Sequence, residues 1–174
     1  MTNTIEKQTA EQFAENMKNY NVYCDFSLLS LLVDIDLILN NEAIFNKQSN
    51  LPDTIKQQAY KNEAGLGAYI GESVCRLYQG TWQGVFNPNN AAFNYYTSAV
   101  IFGDYAFYPT HFISYHISNN KPGEQSEGTF ADYLLRTLPF ITQQQAPKRA
   151  DQSNTFYHKI KHLTCSAPNS NEAP

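Results

Sequence analysis

The sequence predicts an α+β domain: three N-terminal helices, a small antiparallel sheet and short C-terminal helices. Three observations point there. Apolar residues recur at helical spacing through most of residues 4–79. After Gly80 the pattern changes to short aromatic and β-branched runs around an Asn/Pro turn. From Pro109 helical spacing returns.

Residues 4–19 set Phe13 and Met17 one turn apart among Glu, Lys and Gln, an amphipathic helix that Asn19–Asn21 should break. Asp25 and Ser27 are N-cap candidates for a second helix that starts at Leu28 and ends around Asn40–Phe45. Its Leu, Val and Ile residues cover nearly every face, so it is expected to be the buried central helix. A third helix should start at Pro52–Asp53, since proline suits the first turn, and run to Gln79 with Gly80 as its stop. Gly65, Gly67 and Gly71 interrupt its apolar stripe. A glycine inside a helix costs about 1 kcal/mol relative to Ala, so another element is expected to pack closely over Gly67 and Gly71.

Residues 81–86 and 95–102 read as two antiparallel strands joined by a loop holding Asn87-Pro88-Asn89-Asn90, with Gly103-Asp104 ending the second. Pro109 begins a helix bearing Phe112, Ile113, His116 and Ile117. Thr129 caps a shorter one with Phe130, Tyr133, Leu134 and Leu138. A single domain over residues 1–141 and a largely disordered tail over 142–174 complete the expected organisation.

Composition narrows the function classes. The chain has 174 residues, 42% of them apolar and only 16% charged, with 18 Asn and 12 Gln in the gap. The net charge is −4 and no Lys/Arg cluster is present, which disfavours nucleic-acid binding. The longest apolar stretch, Leu28–Val33 broken by Ser30, is far short of the roughly 20 residues that cross a bilayer. Cys24, Cys75 and Cys165 are too scattered for a disulfide framework, and residues 1–18 lack a signal-peptide pattern. A cytoplasmic protein with no membrane association is expected.

Two motifs carry a resemblance. Asp25-Phe26-Ser27-Leu28, followed by Asp34 and Asp36, opens one helix. Gly67-Ala68-Tyr69-Ile70-Gly71-Glu72 leads on to Gly80-Thr81-Trp82. Together they are similar to a loose group of small uncharacterised bacterial proteins with a Gly-x-Tyr-[Ile/Leu]-Gly-Glu helix running into a Gly-x-Trp strand. The resemblance covers about residues 20–140. Some members look immunity-like or inhibitor-like, which implies a binding role and names no catalytic residue.

Candidate chemistry is sparse. Glu72 could act as a general acid or a partner-binding group, or simply be an exposed helix charge or a carboxylate bonded to a backbone amide of the next strand. His158, His162 and Cys165 would align on one helix face at metal-ligand spacing, with no fourth ligand evident and a solvated basic tail as the plainer reading. Gly65-Leu66-Gly67 lacks the strand and the Lys-Ser/Thr of a phosphate loop. No nucleophile motif surrounds any cysteine; an Asp104–His111 dyad has no specific support. The aromatic residues are the last signal. The chain has twelve Tyr, eleven Phe and one Trp, and many of them cluster in residues 82–115, where they could build core or a protein-binding patch.

The leading expectation is a non-enzymatic protein-binding domain, immunity-like or adaptor, with Glu72, Trp82, Tyr95, Tyr96, Tyr105 and Tyr108 facing a protein partner. No cofactor, metal or catalytic residue is assigned. The alternative is an enzyme or small-ligand sensor with a pocket near Glu72.

Overall fold

The structure, a computed structural model, describes residues 4–45 and 50–119. All the described residues belong to one compact unit. The expected domain boundary at 141, the helix capped by Thr129, the tail and the His158, His162 and Cys165 cluster lie outside the described residues.

The fold is α+β. Helix α1 (Ile5–Met17) starts where the Thr4 side chain accepts from Lys7 N–H, and passes through a 3-10 turn into Asn21, whose φ of 58° ends it. Ser27 caps α2 (Leu28–Leu39), its hydroxyl accepting from Ser30 N–H at 3.1 Å while Asp25 accepts from Ser27 N–H at 2.9 Å. Both cap candidates are therefore used, in series. A four-residue helix α3 (Glu42–Phe45) follows, then α4 (Asp53–Tyr78).

The central helix is α4, which corrects the expectation for α2. Every residue from Asn62 to Val74 on α4 is buried, all faces included, whereas Leu29 and Leu37 on α2 are exposed. The glycines explain how so many neighbours reach α4. A Cβ at Gly65 would come within 2.7 Å of Phe13 on α1, and one at Gly67 within 2.6 Å of the Thr110 hydroxyl. At Gly71 a Cβ would collide with the indole of Trp82 and meet Pro109 Cγ at 3.1 Å. Each missing methyl group admits a different element, and the packing gained offsets the helix-propensity cost. Gln79, not Gly80, takes the left-handed conformation that ends α4, with φ 57°. Gly80 is small for another reason: a Cβ there would press on Val100 at 2.7 Å.

The sheet has three antiparallel strands in the order β1 (Thr81–Gly84), β2 (Ser98–Phe102), β3 (Tyr105–Phe107). Trp82 pairs with Val100, and Val100 in turn with Phe107. Gly103, at φ 56°, makes the tight turn between β2 and β3. The expected strand over 95–102 is corrected at its start. Residues Ala91–Thr97 form helix α5, and the strand begins at Ser98. Two asparagines impose this: Asn90 caps α5 by accepting from Phe93 N–H at 3.1 Å, and buried Asn94 clamps both backbone groups of Asn87 at 2.7 and 2.8 Å. Helix α6 (Pro109–Asn119) then packs Phe112 and Ile113 into the core. No helix among the described residues is long and apolar enough to cross a membrane.

Candidate functional site

The residues singled out in the sequence fall into two clusters. The first surrounds Glu72, which is only 7% exposed although it is a carboxylate. Its Oε1 accepts from Arg76 Nε at 2.8 Å, one helical turn on, and its Oε2 accepts from Trp82 Nε1 at 3.4 Å. Arg76 reaches further, donating from Nη2 to Glu11 Oε1 on α1 at 3.1 Å. The guanidinium carbon also stands 3.8 Å from the centroid of the Phe26 ring. Arg76 thus ties α1, α4 and the loop before α2 to one point. Glu72 meets a side chain of the next strand rather than its backbone amide.

Phe26 links this cluster to a buried polar group. Its φ of 61° is unusual for a bulky residue. The turn is held by its own N–H, which donates to Tyr69 Oη at 3.1 Å, and by ring stacking on Tyr69 at 4.8 Å. Tyr69 Oη also lies 2.8 Å from Ser30 Oγ. Burial pushes the Tyr69 hydroxyl well above its usual range and the Cys24 thiol up to about 12. The Asp34 carboxyl is raised too, first by burial and then by Asp25, with a hydrogen bond to Ser30 working against the rise. Cys75 on α4 is likewise pushed up to about 12, by burial and then by Glu72 and Glu6. A thiol so perturbed stays protonated at neutral pH and is a poor nucleophile.

The second cluster is aromatic. Tyr95 and Tyr96 on α5 meet edge-on, ring centroids 4.3 Å apart at 81°. His111 on α6 sits 4.3 Å from Tyr95 and 5.5 Å from Tyr96. Tyr96 is 73% exposed, and Phe93, one turn before it, 43%. Tyr108, between β3 and α6, is part-exposed; Tyr105 pairs with Phe102 at the β2–β3 turn. The structure therefore brings Glu72 together with Trp82, and Tyr95 together with Tyr96, as two separate groups.

Several participants were not anticipated. Arg76 was legible as the i+4 partner of Glu72. Glu11 was not, since it lies 65 residues from Arg76 in the chain. Phe93 and His111 join the aromatic cluster only because residues 91–97 are helical. Among the described residues no group of three or more His, Cys, Asp or Glu side chains could hold a metal ion.

No family model matches the chain, and no curated protein or solved structure matches it significantly.

Proposed function

We propose that this chain is a non-enzymatic, cytoplasmic protein-binding domain, immunity-like or adaptor, that meets its partner through the aromatic face of α5 and the start of α6. Tyr96 carries the reading. It is largely exposed, yet its ring is held against Tyr95 and beside His111. An aromatic side chain fixed before docking buries a large area while losing little rotamer freedom. Phe93 widens the same apolar surface.

Charge supports the same reading. Residues 81–119 hold one formally charged side chain, Asp104. Interface cores are depleted of charge and rich in Tyr, Phe and Trp. The partner is expected to present an uncharged, concave or flat surface, and the complex to resist added salt. An enzymatic reading centred on Glu72 has less support, because both carboxylate oxygens already serve Arg76 and Trp82.

A benzoylphenylalanine photo-crosslinker in place of Tyr96 tests this in the cell. Irradiation should trap one defined protein, and the same group in place of Tyr23, exposed in the loop before α2, should not. Equal trapping from both positions contradicts the proposal.

A further inference from the structure

We infer that the cleft between α1 and α4 binds a neutral carbohydrate. This site is independent of the aromatic surface and does not rest on the protein-binding reading. Phe13 on α1 packs over Gly65 on α4, and the two helices open beside that contact into a cleft of about 310 Å³. Its walls are Gln12 and Asn16 on α1, Gln58 and Asn62 on α4, and Asn89 from the loop before α5. On each helix the two carboxamides are four residues apart and share a face. The volume lies at the lower end of the roughly 300–1,000 Å³ found for ligand sites.

One wall is set in place. Asn62 Nδ2 donates to the Ile44 carbonyl at 2.8 Å, which turns its oxygen to accept from Gln58 Nε2 at 3.0 Å. The orientation of both amides is thereby fixed before any ligand arrives.

The donor set selects the ligand. A carboxamide donates and accepts in one plane, as adjacent sugar hydroxyls require of a partner. Among the described residues no carboxylate lines the cleft to grip a cation, and Lys61 is the one cationic group, against the several charged donors that a phosphate site gathers. Among the described residues Phe13 and Gly65 are the only apolar lining residues, and Phe13 is buried, so they form no pocket for an apolar peptide side chain. A second cleft of about 520 Å³ shares Lys61 and Asn89 and is flanked by Tyr60. The shared residues place the two clefts side by side, so an oligosaccharide can run from one into the other.

Side-chain amide signals in ¹H–¹⁵N spectra of the full chain test the inference. Maltohexaose, cellohexaose and chitohexaose are titrated separately, with inorganic phosphate and oligoglycine as comparators. At least one sugar should shift the Gln12, Asn16, Gln58, Asn62 and Asn89 amides saturably. Its affinity should fall roughly tenfold in Asn16→Ala. Gln12 and Asn16 are exposed, so the fold survives their substitution, and Gln12→Ala provides a second variant. The inference is overturned if no sugar shifts these amides saturably, if both variants bind like the parent, or if only phosphate or oligoglycine shifts them.

Discussion

The indole of Trp82 occupies the notch that Gly71 leaves on α4, and its Nε1 donates to the neighbouring Glu72. Glycine at 71 is thus a condition for Trp82 to reach the carboxylate. On an open helix Gly→Ala stabilises by up to about 1 kcal/mol. Here the added methyl group collides with a ring that is wedged against Phe86 at 6.0 Å. Overpacking should win, and Gly71→Ala should destabilise by about 1–3 kcal/mol in urea unfolding.

Removing the charge of Glu72 leaves Arg76 paired only with Glu11 and weakens the acceptor of Trp82. Glu72→Gln should cost about 1–3 kcal/mol, since the site is buried and hydrogen-bonded. Trp82 is the single tryptophan, so its emission maximum reports the same site directly. An unchanged emission maximum together with unchanged stability would contradict the network.

Asp34 supplies a pH dependence. Its folded carboxyl titrates above the ordinary 3.8, so the fold holds that proton more tightly than the unfolded chain does. The contribution is neutral below 3.8, where both states are protonated. It turns unfavourable as pH rises through the folded value and remains so above it. Asp34→Asn should therefore raise the melting temperature at neutral pH, with the gain disappearing at pH below 3.8. A gain independent of pH would contradict this origin.

The two described thiols should be chemically quiet. Cys24 and Cys75, both pushed up to about 12, should react slowly with Ellman's reagent in native Cys165→Ser protein and fully once urea is added. Fast native reaction of either thiol would contradict the burial described for it.

Much of the helical half was legible because its signals are local. The Phe13–Met17 spacing, the Ser27 cap and the glycines of α4 each act within a turn or two of helix. The glycines even announced a close approach, though not that Phe13, Thr110 and Trp82 would take one notch each. The aromatic region was harder. Tyr95 and Tyr96 suit a strand by propensity, and the override comes from the Asn90 cap and the Asn94 clamp on Asn87. Strand β3 has three residues, too few to show alternation. Of the candidate site, the Glu72–Arg76 pair could be read from an i+4 spacing, while the Glu11 and Phe26 contacts of Arg76 depend on tertiary packing.

Co-purification of the full chain with its partner, compared between the parent, a Phe93→Ser/Tyr96→Ser double variant and a Tyr23→Ser control, tests the central claim most directly. Phe93 and Tyr96 are exposed, so melting temperature should hold in all three proteins. The account predicts one stoichiometric partner, retained in high salt by the parent and by Tyr23→Ser and lost from the double variant. A partner that the folded double variant keeps in full, or that salt strips from the parent, would contradict it.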